Sequence, residues 1–131
     1  MRECVLDASV VLEWFSAPEG SGDGAGQLRI EFESGNLGVV APSFIHSEIL
    51  NVAGRRWNWS AEALLELAEA LEDLSFDLVE PELTAAARWV AAGLTAYDAA
   101  YVAVAEAAAI PLITSDQTIL ALAPGVARPP L

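Results

Sequence analysis

The stretch LTAYDAAYVAVAEAAAIPLITSD, residues 94–116, decides how this chain reads. Its first part, 96–109, is a helical pattern so rich in Ala that it can lie close against a sheet. PLIT (111–114), which follows, has the length and apolarity of a buried strand. Carboxylates interrupt this apolar run, and two of them mark its limits, Asp98 near its start and Asp116 at its end. Carboxylates are costly to remove from water, so a chain that sets them where its core should be supplies a partner for them.

Working outward, the same alternation repeats. CVL (4–6), GVVA (38–41) and FDLV (76–79) read as further buried strands. Between them lie helical segments at 43–56, with Ser43 as its N-cap after Pro42, at 60–74, with Ser60 as its N-cap, and at 82–92. In the second of these Leu64, Leu65, Leu67, Leu71 and Leu74 form an apolar face. Strands alternating with helices predict an α/β fold with a mainly parallel central sheet flanked by helices. No linker or internal repeat divides the 131 residues, so a single domain over 1–131 is expected, and EGSGDGAG (19–26) reads as its one flexible loop.

Composition narrows the chemistry. Nineteen acidic residues face six basic ones, all Arg, for a formal net charge of -13. Most of these acids serve solubility on a solvated surface, and any nucleic-acid partner must approach against a repulsive field. The absence of Lys removes P-loop, Schiff-base and phosphoaspartate mechanisms that depend on one. Cys4 is alone, which excludes an internal disulfide and a thiolate cluster and makes it a core thiol. Glu3 and Asp7 interrupt the segment a signal peptide would need, and Asp98 and Glu106 break the longest apolar stretch. A cytoplasmic protein with no membrane span is therefore expected.

Four acids stand out by position. Asp7 ends the first strand and Asp116 closely follows the strand PLIT, both at carboxyl ends, where open α/β sheets bind their ligands. Glu48 falls within the helix after GVVAPS, and Asp98 in the first turn of the helix after Gly93. Each also has an ordinary structural reading: Asp7 and Asp116 as N-caps, Asp98 in a capping box with Thr95, Glu48 as a solvated helix residue. Convergence of all four gives the other reading its weight. Carboxylates gathered without Lys repel one another unless protonated or bound to metal, and hard divalent cations with oxygen ligands, Mg²⁺ or Mn²⁺, meet that requirement.

The segments VLDASVVLEWF, VVAPSFIHSEILNV and GLTAYDAAYVAVAEAAAIPLITSD, in this order and at these spacings, resemble the PIN-domain ribonucleases, and within them the toxins of VapBC-type toxin–antitoxin pairs. The similarity runs nearly end to end, and YDAAYVAVA followed by a strand and TSD is its most specific element. It implies an acidic quartet at Asp7, Glu48, Asp98 and Asp116 that holds Mg²⁺ or Mn²⁺ and carries catalysis, with Ser9 and Thr114 assisting. It further implies hydrolysis of RNA by metal-activated water to 5′-phosphate and 3′-hydroxyl ends, a homodimer, and a cognate antitoxin with a basic tail. The chain departs from the family in carrying Gln117 where a basic residue is frequent, and in its extreme negative charge.

Two other functions stay open at this level. One is a non-catalytic PIN-like module that binds a basic protein. The other is a phosphoaspartate phosphatase with Asp7 as nucleophile, which expects a second Asp where Ser9 stands and a Lys that is absent. Among the remaining residues, His46 lies two positions from Glu48, about 200° around a helix and off its face. Trp14, Trp57, Trp59 and Trp89 read as core or interface anchors. Arg55 and Arg56 end the Glu48 helix, where cations favour its dipole and where RNA contact is the alternative.

Overall fold

The computed structural model describes residues 1–16 and 24–130. Its frame is a sheet of five parallel strands: β1 (Arg2–Leu6), β2 (Leu37–Pro42), β3 (Asp77–Val79), β4 (Leu112–Ile113) and β5 (Ala127–Arg128). They lie in the order β3-β2-β1-β4-β5. The helices between them are α1 (Ala8–Ser16), α2 (Gly24–Glu33), α3 (Ile45–Asn51), α4 (Ala61–Asp73), α5 (Leu83–Ala91), α6 (Ala96–Ala108) and α7 (Gln117–Leu122). The chain steps from β1 to β2 to β3 in one direction, then returns across the sheet to β4. With right-handed crossovers, that reversal sets α1 to α4 over one face and α6 over the other.

Strand burial follows from this order. In β1, Cys4, Val5 and Leu6 are buried on both faces because helices cover each side, and only Arg2 and Glu3 at its start are exposed. The register is fixed by Cys4 opposite Val39 on one side and Leu6 opposite Ile113 on the other. Burial raises the Cys4 thiol to about 11, as an inert core residue requires. FDLV, expected as a buried strand, is instead the exposed edge strand β3, since no strand among the described residues pairs with its outer side.

The Ala-rich α6 packs on β1, β2 and β4, and also against α5. Its run Ala99–Ala105 is buried because small side chains allow helix and sheet to approach from several directions at once. Thr95 caps it, accepting the Asp98 N–H at 3.2 Å. Ser60 likewise caps α4 through the Ala63 N–H at 3.1 Å. Of the leucines on α4, Leu67 and Leu71 reach the core, while Leu65 is 67% exposed and does not belong to the apolar face expected of it.

Three other expectations need correction. Ser43 does not cap the Glu48 helix; its hydroxyl donates to Glu80, the helix starts two residues later, and Phe44 takes the N-cap position without a side-chain bond. That helix also does not run on to residue 56 as an α-helix, because Val52–Arg56 forms a π-helical turn closed by the Trp57 N–H to the Val52 carbonyl at 3.2 Å. Gly24 and Gly26, read as part of a flexible loop, open helix α2, held by Trp14, whose indole donates to the Ala25 carbonyl at 2.8 Å. Residues 19–23 of that loop lie outside the described residues. No helix among the described residues is long and apolar enough to cross a membrane.

Candidate active site

The sheet order reverses between β1 and β4, and both strands end there. Such a switch point leaves a crevice beyond the strand ends, because the two connections leave in opposite directions. Asp7 follows β1, and Thr114, Ser115 and Asp116 follow β4. The two ends are tied together: the Asp7 N–H donates to the Ile113 carbonyl at 3.3 Å. The crevice is a cleft of about 540 Å³, and Asp7, Ser9, Glu48, Asp98 and Asp116 all line it.

Asp7 is the most buried of the four acids, 4% exposed. Its Oδ1 accepts the Ser9 hydroxyl at 2.5 Å and the Val10 N–H at 3.4 Å, and its Oδ2 accepts the Thr114 hydroxyl. Burial nonetheless dominates these bonds and raises its carboxyl to about 6, with the charge of Asp98 adding to the effect. Thr114 does not line the cleft. It acts from behind, fully buried, bridging Asp7 to the Asp116 N–H, which it accepts at 3.0 Å.

The other three reach the cleft from separate helices and are half-buried. Glu48, on α3, accepts the Tyr101 hydroxyl at 2.6 Å. Burial pushes its carboxyl above the usual range, Tyr101 opposes that, and Asp98 reinforces it. Asp98, on the first turn of α6, is raised by burial and then by Asp116. Asp116 caps α7, its Oδ1 accepting the Ile119 N–H at 2.9 Å. Thus the capping readings of Asp98 and Asp116 hold locally, and both side chains still face the cleft. Asp98 is the electrostatic centre, since its charge is felt by Asp7 and Glu48 while it feels that of Asp116.

Sequence reasoning passed over two contributors. Glu13, four residues after Ser9 on α1, lines the cleft and accepts the Ser115 hydroxyl at 3.3 Å; the i, i+4 spacing was its signal. Tyr101, three residues after Asp98 on α6, supplies the hydroxyl on Glu48, and burial raises its own pKa. His46 lies away from the cleft, its ring 6.3 Å from that of Phe76, which agrees with its angular offset from Glu48. Trp14 is a core anchor between Phe32 and Phe76, and Trp89 donates to Glu106 at 2.6 Å. Trp57 and Arg56, by contrast, line the cleft.

The donor set suits a hard cation: carboxylate oxygens and hydroxyls, with no Lys in the chain to compete. Among the described residues, no three His, Cys, Asp or Glu side chains stand close enough together to form a ready-made cage. Mg²⁺ needs none, because it commonly binds through one or two carboxylates and completes its shell with water and substrate phosphate.

Comparison with known proteins gives the cleft its context. The structure is similar to PAE2754 from Pyrobaculum aerophilum, at 25% identity over 92% of this chain and 84% of that one, with a TM-score of 0.65. It shares its fold with VapC20 of Mycobacterium tuberculosis, a toxin that cleaves the sarcin–ricin loop (16% identity, 92% and 95% coverage, TM-score 0.68). It shares it also with a toxin–antitoxin complex from Klebsiella pneumoniae (20% identity, 98% of each chain, TM-score 0.64). No curated protein matches the sequence. The PIN domain family model matches residues 4–123, which takes in β2, β3, β4, the buried part of β1 and all four acids of the cleft. The chain therefore belongs to the PIN domain family.

Proposed function

We propose that this protein is a metal-dependent endoribonuclease, the toxin of a VapBC-type toxin–antitoxin pair, acting in the cytoplasm as a homodimer. The observation that carries the reading is the gathering of Asp7, Glu48, Asp98 and Asp116 from four separate elements into one cleft, with Asp98 coupled to the other three. Burial and mutual repulsion raise the carboxyls of Asp7, Glu48 and Asp98, and carboxylates so placed favour a divalent cation over water alone. Family membership and two toxin–antitoxin neighbours of the same fold support the biological setting.

In this reading the quartet holds Mg²⁺ or Mn²⁺, which when bound supplies an activated water and charge neutralisation at a phosphodiester. The chain's own part is orientation. Ser9 and Thr114 fix both oxygens of Asp7, so its carboxylate cannot rotate away from the cleft. Tyr101 holds Glu48 through its hydroxyl, and Thr114 links Asp7 to the start of α7. These supporting bonds keep the carboxylates in place while their charge is unneutralised.

The charge of -13 favours a second reading, a non-catalytic module that captures a basic protein. A phosphoaspartate phosphatase is set aside by the family match and by the lack of Lys. One experiment separates the first two. RNA ends are mapped across the transcriptome after expressing the chain without its partner, beside Asp98→Asn. New 5′-phosphate ends at defined positions with the unsubstituted chain, absent with Asp98→Asn, establish the ribonuclease. Identical end maps with and without expression leave the binding module.

A further inference from the structure

Arg56 is the one cation lining the carboxylate cleft among the described residues, and it shares the cleft with five acids without forming an ion pair with any of them. The ion pairs formed by the described residues engage Arg2 and Arg29, and Arg56, like Arg55, Arg88 and Arg128, stays outside them. The backbone explains how Trp57 comes to stand beside it. An α-helix continued from Glu48 and Val52 would bring residue 56 beneath Val52 and carry residue 57 away. The π-helical turn Val52–Arg56 adds a residue to that turn, so the Trp57 N–H closes on the Val52 carbonyl, and both Arg56 and Trp57 come to line the cleft. Single π turns within helices occur frequently at functional sites.

Trp57 adds a flat apolar face. It is 40% exposed, and its ring lies 5.7 Å from that of Trp59, tilted by 41°, so Trp59 supports it from one side. Tyr97, which also lines the cleft and is 61% exposed, is braced edge-on by Phe44 at 5.3 Å. Exposed aromatic rings that are held from behind, next to an unpaired guanidinium, match the chemistry of a single-stranded nucleotide: a π face for the base and a planar cation for the phosphate.

Resting on the ribonuclease reading above, we propose that Arg56 and Trp57 form the substrate-positioning subsite of the cleft, Trp57 stacking on an unpaired base beside the scissile bond and Arg56 holding the adjoining phosphate. Arg56 is what lets RNA enter a cleft whose other charges repel it. A guanidinium cannot lose its proton, so this attraction is constant across the pH range in which the carboxylates titrate. Because no carboxylate engages it, the Arg56 guanidinium is open to the phosphate.

The test uses a synthetic oligoribonucleotide spanning the cleavage site mapped in the preceding experiment, with steady-state cleavage followed at several salt concentrations. Trp57→Ala is expected to raise KM about tenfold, with the loss falling on KM rather than kcat, and Trp57→Phe to restore most of it, because stacking needs a ring and not an indole. Arg56→Gln is expected to raise KM and to flatten the dependence of log KM on log salt by about 0.7, the loss of one phosphate contact on a single strand, while Arg56→Lys keeps the slope. Unchanged KM in Trp57→Ala and an unchanged salt slope in Arg56→Gln overturn the subsite while leaving the ribonuclease intact. A loss confined to kcat, not rescued by Trp57→Phe or Arg56→Lys, also overturns it. Loss of binding to a co-expressed protein partner with cleavage unaffected assigns the surface to that partner and overturns it equally. If the unsubstituted chain cuts nothing, it is the ribonuclease reading that has failed.

Discussion

The Tyr101 hydroxyl donates to Glu48 Oε1 at 2.6 Å, joining α6 to α3 across 53 positions of sequence. Tyr101 is 1% exposed, so this bond brings a core residue into direct contact with the cleft. It is the force that keeps the Glu48 carboxyl from rising further, since burial and Asp98 both push it up. Tyr101→Phe keeps the ring and removes the hydroxyl. The acidic limb of the pH–rate profile should then move to higher pH, with cleavage lost more at acid than at alkaline pH. An unshifted limb would show that Glu48 does not act in its charged form.

Asp7 gives a prediction about stability. Its folded-state pKa of about 6 lies above the ordinary 3.8, so between those values the native state retains a proton that the unfolded chain has released. Stability conferred at low pH is therefore lost as pH rises through that window and stays lost above it. Asp7→Asn removes the penalty. In the absence of metal it should stabilise the protein at neutral pH by about 1–3 kcal/mol, a difference that fades toward acid pH, as two curves of urea unfolding against pH would show. Equal gains at both ends of the range would mean that the effect is not electrostatic.

How much of this was readable beforehand depends on whether the signal was local. Thr95, Ser60 and Asp116 cap their helices as their positions suggested, because a cap needs only its own first turn. The strands CVL, GVVA and PLIT carry their burial in their composition. Ser43 was misread because its competitor, Glu80, is 37 positions away and invisible to a local rule. The short strand β5 has the sequence Ala127–Arg128, too brief to show any period, and exists because β4 offers it an edge. In the site, Asp7 and Asp116 stood out by their place at strand ends and Asp98 by its place at a helix start, whereas Glu48, within its helix, joined them through the family resemblance. Their supporting residues Glu13 and Tyr101 were missed because each looks like an ordinary helix residue until the other elements are brought against it.

Metal should reverse the balance at Asp7. A cation that binds only the native state raises the melting temperature progressively with its concentration. Adding Mn²⁺ to protein freed of metal by EDTA should raise the melting temperature of the unsubstituted chain. It should do so much less for Asp7→Asn and Asp98→Asn, although both begin from a more stable metal-free state. Superimposable melting curves with EDTA and with millimolar Mn²⁺ would count decisively against a metal site in the cleft.

The last prediction concerns the partner. A cleft of carboxylates that attracts divalent cations also attracts guanidinium, whose planar fork can engage them two oxygens at a time. The net charge of -13, which slows the approach of RNA, accelerates that of a basic polypeptide. An antitoxin with a basic tail can therefore inhibit by lodging an Arg among Asp7, Glu48, Asp98 and Asp116, while apolar contacts elsewhere hold the two chains together. A small protein encoded beside this one, basic at one end, should co-purify with it and suppress its toxicity. Replacing the tail's Arg residues by Gln should restore cleavage more than it weakens the complex. Excess Mn²⁺ should relieve inhibition by a synthetic tail peptide, because the two compete for the same oxygens. Inhibition that survives loss of every tail cation and does not respond to Mn²⁺ would place the block outside the cleft.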